Sequence, residues 1–234
     1  MNESEKVLLI TGAGSGIGAA TARLLAGKYR LVLAGRRLEP LDELVSELGG
    51  PDRAIATGCD VGEWDQVEAM TAAAIEAFGR IDVVFANAGF GASRGFLNES
   101  PEQWRSMVLT NVLGPALTIR STLPHLLERG NGHVLVTSSI AGRRVLPGSM
   151  YSATKHAATA IGEALRQELR AMDDGNRIKM TLIEPGMVDT PFFDNRPDGA
   201  LGDDDIARAV EYALNQPDSV DVNEILIRPI SQPT

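Results

Sequence analysis

"KVLLITGAGSGIG", residues 6–18, joins a short apolar run to a turn in which every second residue from Gly12 to Gly18 is glycine. The run is strand-like, and the segment near 17–28 that follows carries a helical pattern. Glycines at such a strand-to-helix turn let backbone N–H groups approach a phosphate with no Cβ in the way. The helix N-terminus then faces that charge. A βαβ unit opening an α/β nucleotide-binding fold is the reading this stretch imposes.

The rest of the chain repeats the alternation. Apolar runs at 30–35, 53–58, 81–87, 132–138, 179–185 and 224–229 join 6–11 as seven strands. They are continuous rather than alternating, as expected of parallel strands covered on both faces. Helix-like segments lie near 17–28, 38–48, 63–78, 101–128, 150–172 and 203–215. Ser100-Pro101-Glu102 and Asp203 to Asp205 supply start signals for the fourth and last of these. The pattern predicts a Rossmann-like, doubly wound, seven-stranded parallel sheet in three α/β/α layers, one domain over 1–234. At 234 residues, 44% hydrophobic and 23% charged, the chain can bury a sizeable core. The one long irregular stretch, 186–203, reads as a substrate loop, with Phe192 and Phe193 as an apolar cover.

Bulk properties narrow the partners. Net charge is −9, from 22 basic and 31 acidic residues, a poor basis for binding nucleic acid or an anionic membrane. A small molecule is the expected partner. The single cysteine, Cys59, excludes an intrachain disulfide and reads as a small buried hydrophobe in a reducing, cytoplasmic setting. The acidic start "MNESEK" and the lack of any run near the ~20 apolar residues of a membrane span fit the same setting. No metal site is expected.

The spacing of Thr11, Gly12, Gly16 and Gly18 resembles the TGxxxGxG signature of the short-chain dehydrogenase/reductase family. Cofactor choice in such folds falls at the end of the second strand, where an acid accepts from NAD's ribose and arginine meets the 2′-phosphate of NADP. Here "LAGRRLE" places Arg36 and Arg37 there, with no acid before Glu39, so NADP(H) is expected. The resemblance extends the nucleotide contacts to Ser15 and Ile17 in the turn, and to Asp60 and Val61 in "CDV". It also covers Asn87, Ala88 and Gly89 in "ANAG", then Pro185, Gly186, Val188 and Thr190.

Catalysis should centre on "MYSATKH", residues 150–156. Tyr151 and Lys155 share a helix face by spacing alone, which by itself says little. A hydride carrier, however, needs an acid or base at the carbinol oxygen. A phenol titrating near pH ~10 serves at neutrality only if a neighbouring cation favours the phenolate. The apolar stripe Ala157, Ile161, Leu165 and Leu169 is expected on another side of the helix. By resemblance, Tyr151 moves the proton, Ser139 polarises the carbonyl, and Lys155 lowers the tyrosine pKa while holding the nicotinamide ribose. Asn111 anchors a water leading to Lys155. One departure concerns the serine. The family's usual serine-to-tyrosine spacing lands on Ser138, whereas a glycine three places on selects Ser139, with "RRVLPGSM" one residue short. The local motif favours Ser139.

The C-terminal "DVNEILIRP" resembles members acting on small 3-hydroxy acids, and Arg143 and Arg144 are candidates to grip such a substrate's anionic group. Alternatives are neutral ketones or aldehydes, or a nucleotide sensor without turnover. The resemblance also implies a homo-oligomer, dimer or tetramer.

Overall fold

Alternate residues of β1 (Val7–Thr11) enter opposite cores: Val7 and Leu9 on one face, Leu8 and Ile10 on the other. β2 (Arg30–Gly35) divides likewise, with Val32 against Leu31 and Leu33. This two-sided burial is why the strands read as unbroken apolar runs. The computed structural model describes residues 6–91, 95–172, 177–190 and 198–232; Phe192 and Phe193 lie outside them.

On the first face pack α3 (Trp64–Phe78), α5 (Gly114–Arg129) and α6 (Met150–Ala171), through Val67, Met70, Leu126 and Leu165. On the second pack α1 (Gly16–Leu25), α2 (Glu39–Glu47) and α7 (Asp203–Leu214), through Leu25, Leu41 and Val210. The remaining long strands are β3 (Ala54–Gly58), β4 (Val83–Ala86), β5 (Asn131–Thr137), β6 (Arg177–Pro185) and β9 (Glu224–Ile227). The sheet order is β3-β2-β1-β4-β5-β6-β9, parallel throughout. The order reverses between β1 and β4, which opens a crevice beyond their carboxyl ends, where such folds hold ligands.

Three details differ from the sequence reading. The helix expected over 101–128 is divided into α4 (Pro101–Val108), a π turn (Leu109–Leu113) and α5. A π turn keeps the chain helical from one segment to the next, and the one local sign of the division is Gly114-Pro115, where α5 begins. The buried stripe of α6 runs through Lys155, Ala158, Gly162, Leu165 and Leu169. Lys155 therefore extends the core face rather than lying apart from it, and Ala158, not Ala157, faces inward. Within 186–203, β7 (Val188–Asp189) pairs with β8 (Leu201–Gly202). Among the described residues no helix is long and apolar enough to cross a membrane.

A pH-dependent element of stability sits under the sheet. His133 on β5 is buried, its Nε2 at 2.7 Å from Thr181 Oγ1, which donates to Val222 O at 2.6 Å. Burial, aided by Lys179 and opposed by Asp221, pushes the imidazole down to about 4. The unfolded chain takes up the proton near pH ~6.5, so stability present above that value is lost as pH falls towards the folded pKa, by about 2 kcal/mol at pH ~5. Urea unfolding of His133→Gln should show a shallower loss between neutrality and pH ~5 than wild type; equal slopes would assign the acid sensitivity elsewhere.

Candidate active site

The glycine turn leaves a backbone cradle at the carboxyl end of β1. Gly12 (φ +67°) and Gly16 (φ +51°) occupy the left-handed region that favours glycine. A Cβ at Gly18 would lie 2.3 Å from Gly12 O, so the close approach of helix to turn excludes any side chain there. Ser15, extended and exposed, caps α1 without a side-chain hydrogen bond, and Ile17 is partly buried against the core. These features fit a pyrophosphate at the start of α1.

Neighbouring strand ends complete the rim. Asn87 ties three of them together: its N and Nδ2 donate to Thr11 Oγ1 and Thr11 O, both at 3.1 Å, and its Oδ1 accepts from Thr137 Oγ1 at 3.0 Å. Ala88 N also donates to Thr11 Oγ1. Asn87's side chain is thus spent on the scaffold, while Ala88 and Gly89 follow it at the edge of the crevice. Asp60 caps its own turn, accepting from Gly62 N at 3.0 Å, and buried Val61 packs on Gly114. Arg36 and Arg37 are exposed beyond β2, with no hydrogen bond or ion pair among the described residues. Pro185 and Val188 are buried, Gly186 and Thr190 partly so, beyond β6.

The candidate catalytic side chains converge from β5, α6 and the π turn. Ser139 Oγ accepts from Ala141 N at 3.1 Å and lies 3.3 Å from Pro185 O. It also hydrogen-bonds the Tyr151 hydroxyl. Ser138 faces the other way: its Oγ donates to Lys155 O at 3.0 Å and meets Thr159 Oγ1 at 2.7 Å. The structure brings Ser139, not Ser138, to the tyrosine. Lys155 is buried; its Nζ donates to Thr137 O at 2.8 Å and lies 5.7 Å from the centre of the Tyr151 ring. Burial lowers the ammonium to about 8. Burial also raises the Tyr151 phenol to about 12, with the Ser139 hydrogen bond pulling it down. Desolvation of the phenolate thus outweighs the Ser139 hydrogen bond.

Asn111, on the π turn and buried, accepts from Phe90 N at 3.0 Å and donates to Phe90 O and Thr154 Oγ1 at 2.8 and 3.2 Å. It borders Gly89 together with Lys155: a Cβ there would lie 3.2 Å from Asn111 Oδ1 and 3.5 Å from Lys155 Nζ. Arg143 departs from its expected role. Its Nε is held by both oxygens of Glu184, at 2.7 and 2.9 Å, and its Nη2 by Glu224, so its charge is already paired within the fold. Arg144 carries no ion pair among the described residues and lines a groove of about 330 Å³ with Ile140, Glu184 and Arg228. Glu184 and Thr159 escaped sequence reasoning. A lone acid at the end of the apolar run "KMTLIEP" was the available signal.

A glycine phosphate cradle at the sheet's switch point, with tyrosine, lysine and serine converging nearby, defines a nucleotide-dependent oxidoreductase of Rossmann architecture. The chain belongs to the short-chain dehydrogenase family, whose model matches residues 6–200. It is 38% identical over 245 residues to an uncharacterised oxidoreductase of Staphylococcus saprophyticus, covering 99% of this chain and 98% of the relative. Among solved structures, it is similar to an alcohol dehydrogenase of the archaeon Thermococcus sibiricus complexed with 5-hydroxy-NADP. That match has 35% identity, 98% coverage of both chains and a TM-score of 0.87. It is also similar to serine dehydrogenase from Escherichia coli, with 30% identity, 97% and 100% coverage, and a TM-score of 0.86.

Proposed function

We propose that this chain is an NADP(H)-dependent oxidoreductase interconverting a small carbonyl compound and its alcohol, with 3-hydroxy acids as the substrate class. The observation that carries the reading is the meeting of Ser139 and Tyr151 beside buried Lys155, across the crevice from the glycine cradle. The nucleotide supplies or accepts the hydride. Tyr151 gives its phenolic proton to the carbonyl oxygen in reduction and takes it back in oxidation. Ser139 polarises that oxygen, and Lys155 holds the nicotinamide ribose and stabilises the phenolate. Asn111 Oδ1 retains a lone pair for a water leading to Lys155.

Arg36 and Arg37 support NADP(H) over NAD(H), as does the nucleotide in the archaeal relative. Arg36→Asp should weaken NADPH roughly 10- to 100-fold, the worth of a charge-assisted hydrogen bond, and leave NADH nearly unchanged. Fluorescence titration with both nucleotides checks this, and equal losses would contradict it. The serine dehydrogenase similarity supports an acidic substrate, and Arg144, exposed just past the Ser139 turn, is the candidate to meet its anionic group. On that reading Arg144→Ala raises KM for a hydroxy acid roughly tenfold or more and spares a neutral ketone of equal size.

A neutral carbonyl substrate is the second reading. Exposed Phe96, Leu97 and Val145 favour it, sitting on two loops joined by Gly95 N donating to Gly148 O at 2.7 Å. Assaying ketones, aldehydes and hydroxy acids with NADPH or NADP separates the two by kcat/KM. The same reading places the protein in the cytoplasm as a dimer or tetramer. The outer edge of β9, where Leu226 is half-exposed, supports association.

A further inference from the structure

We propose that Glu184 and Arg143 form a clamp that positions the Ser139 hydroxyl against Tyr151. The clamp rests on the reading of Ser139 and Tyr151 as the reacting pair.

Ser139 caps the start of a single 3-10 turn, Ile140–Gly142, and Arg143 caps its end. The turn has no ladder of its own to hold its orientation. Its far end is tied through Arg143 Nε to both oxygens of Glu184, and through Nη2 to Glu224. Glu184 is 1% exposed and stands next to last in β6, before Pro185, whose carbonyl faces Ser139 Oγ. A buried carboxylate is costly unless paired, so Arg143 is what keeps it charged and in place. Burial pushes the Glu184 acid up and Arg143 pulls it back.

The same carboxylate reaches the helix that carries the other reacting groups. Thr159 Oγ1 donates to Glu184 Oε1 at 3.4 Å and meets Ser138 Oγ, which donates to the carbonyl of Lys155. Contact between turn and helix is tight. A Cβ at Gly142 would lie 2.5 Å from Ser138 Oγ and 2.7 Å from Lys155 O. One carboxylate therefore fixes the strand end, the serine turn and α6 relative to one another. A misplacement of about 1 Å between reacting groups can cost about 10²-fold in rate, so a clamp remote from the substrate acts on kcat.

The test follows two readouts in Glu184→Gln and Arg143→Met. The first needs no turnover: the ¹³Cζ resonance of Tyr151, one of three tyrosines in the chain, in labelled protein at neutral pH. Ser139→Ala defines its position without the hydrogen bond, and both clamp variants should move it towards that position. The second is kinetic. kcat should fall roughly 10- to 100-fold with KM and NADPH affinity changed only a few-fold, and the ionisation that activates alcohol oxidation should rise by roughly one to two pH units. Arg143→Lys, which keeps the charge without the fork, should fall between and remains usable if the other variants do not fold. The clamp is overturned if folded variants keep the wild-type resonance, or if Ser139→Ala fails to move it. A wild type inert on every substrate would instead count against the proposed function, with the resonance still deciding the clamp.

Discussion

Replacing Tyr151 with phenylalanine is expected to lower kcat by about 10²–10⁴-fold, the usual loss on removing a general acid–base group, with nucleotide affinity retained. Phenylalanine keeps the ring beside Lys155 and deletes only the oxygen that hydrogen-bonds Ser139. The glycine cradle and Lys155 remain, so binding and chemistry separate. The pH behaviour should follow the same oxygen. With the phenol at about 12 in the free protein, the protonated form that carbonyl reduction needs prevails at neutrality. Alcohol oxidation needs the phenolate, so its rate should climb as pH rises. Steady-state kinetics in both directions would show this. Turnover within about tenfold of wild type would remove Tyr151 from the role.

The second large effect concerns the adjacent serines. Ser139→Ala should lower kcat by about 10²–10³-fold, as for loss of one donor to a developing oxyanion. Ser138→Ala should act chiefly on stability. Its hydroxyl is buried against Lys155 O and Thr159, and leaving such groups unsatisfied costs about 1–3 kcal/mol. The two variants compared for kcat and for thermal midpoint should therefore rank in opposite orders. The reverse ranking would mean that the serine-to-tyrosine spacing, not the local turn, sets the reacting geometry.

The sheet was legible because the central strands are buried on both faces, which leaves continuous apolar runs such as "KVLLIT". The glycine turn was legible because backbone geometry allows few other residues at Gly12 and Gly18. What stayed hidden depended on where side chains turn after the backbone is set. Two serines in sequence point to opposite neighbours: the glycine three places after Ser139 favours that residue, but only the fold shows Ser138 turned to Lys155 O and Thr159. Arg143 and Arg144 look equivalent in the chain. Only the approach of β6 and β9 reveals that Glu184 and Glu224 pair with the first, while the second has no ion pair among the described residues. The division at Asn111 was missed although Gly114-Pro115, where α5 begins, is a break signal inside the expected helix. Lys155 on the core stripe was missed because a lysine reads as surface until the groups that enclose it are known.

The measurement that bears most directly on the central claim is hydride transfer itself. NADPH carrying deuterium at both nicotinamide C4 positions would be incubated with the wild-type protein and a panel of small aldehydes, ketones and oxo acids, and the products read by mass spectrometry. An oxidoreductase working through Tyr151 places one deuterium on the carbinol carbon of at least one product, and Tyr151→Phe suppresses it. Saturable NADPH binding with no label transferred to any member of the panel would contradict the account and leave a nucleotide-binding module in its place.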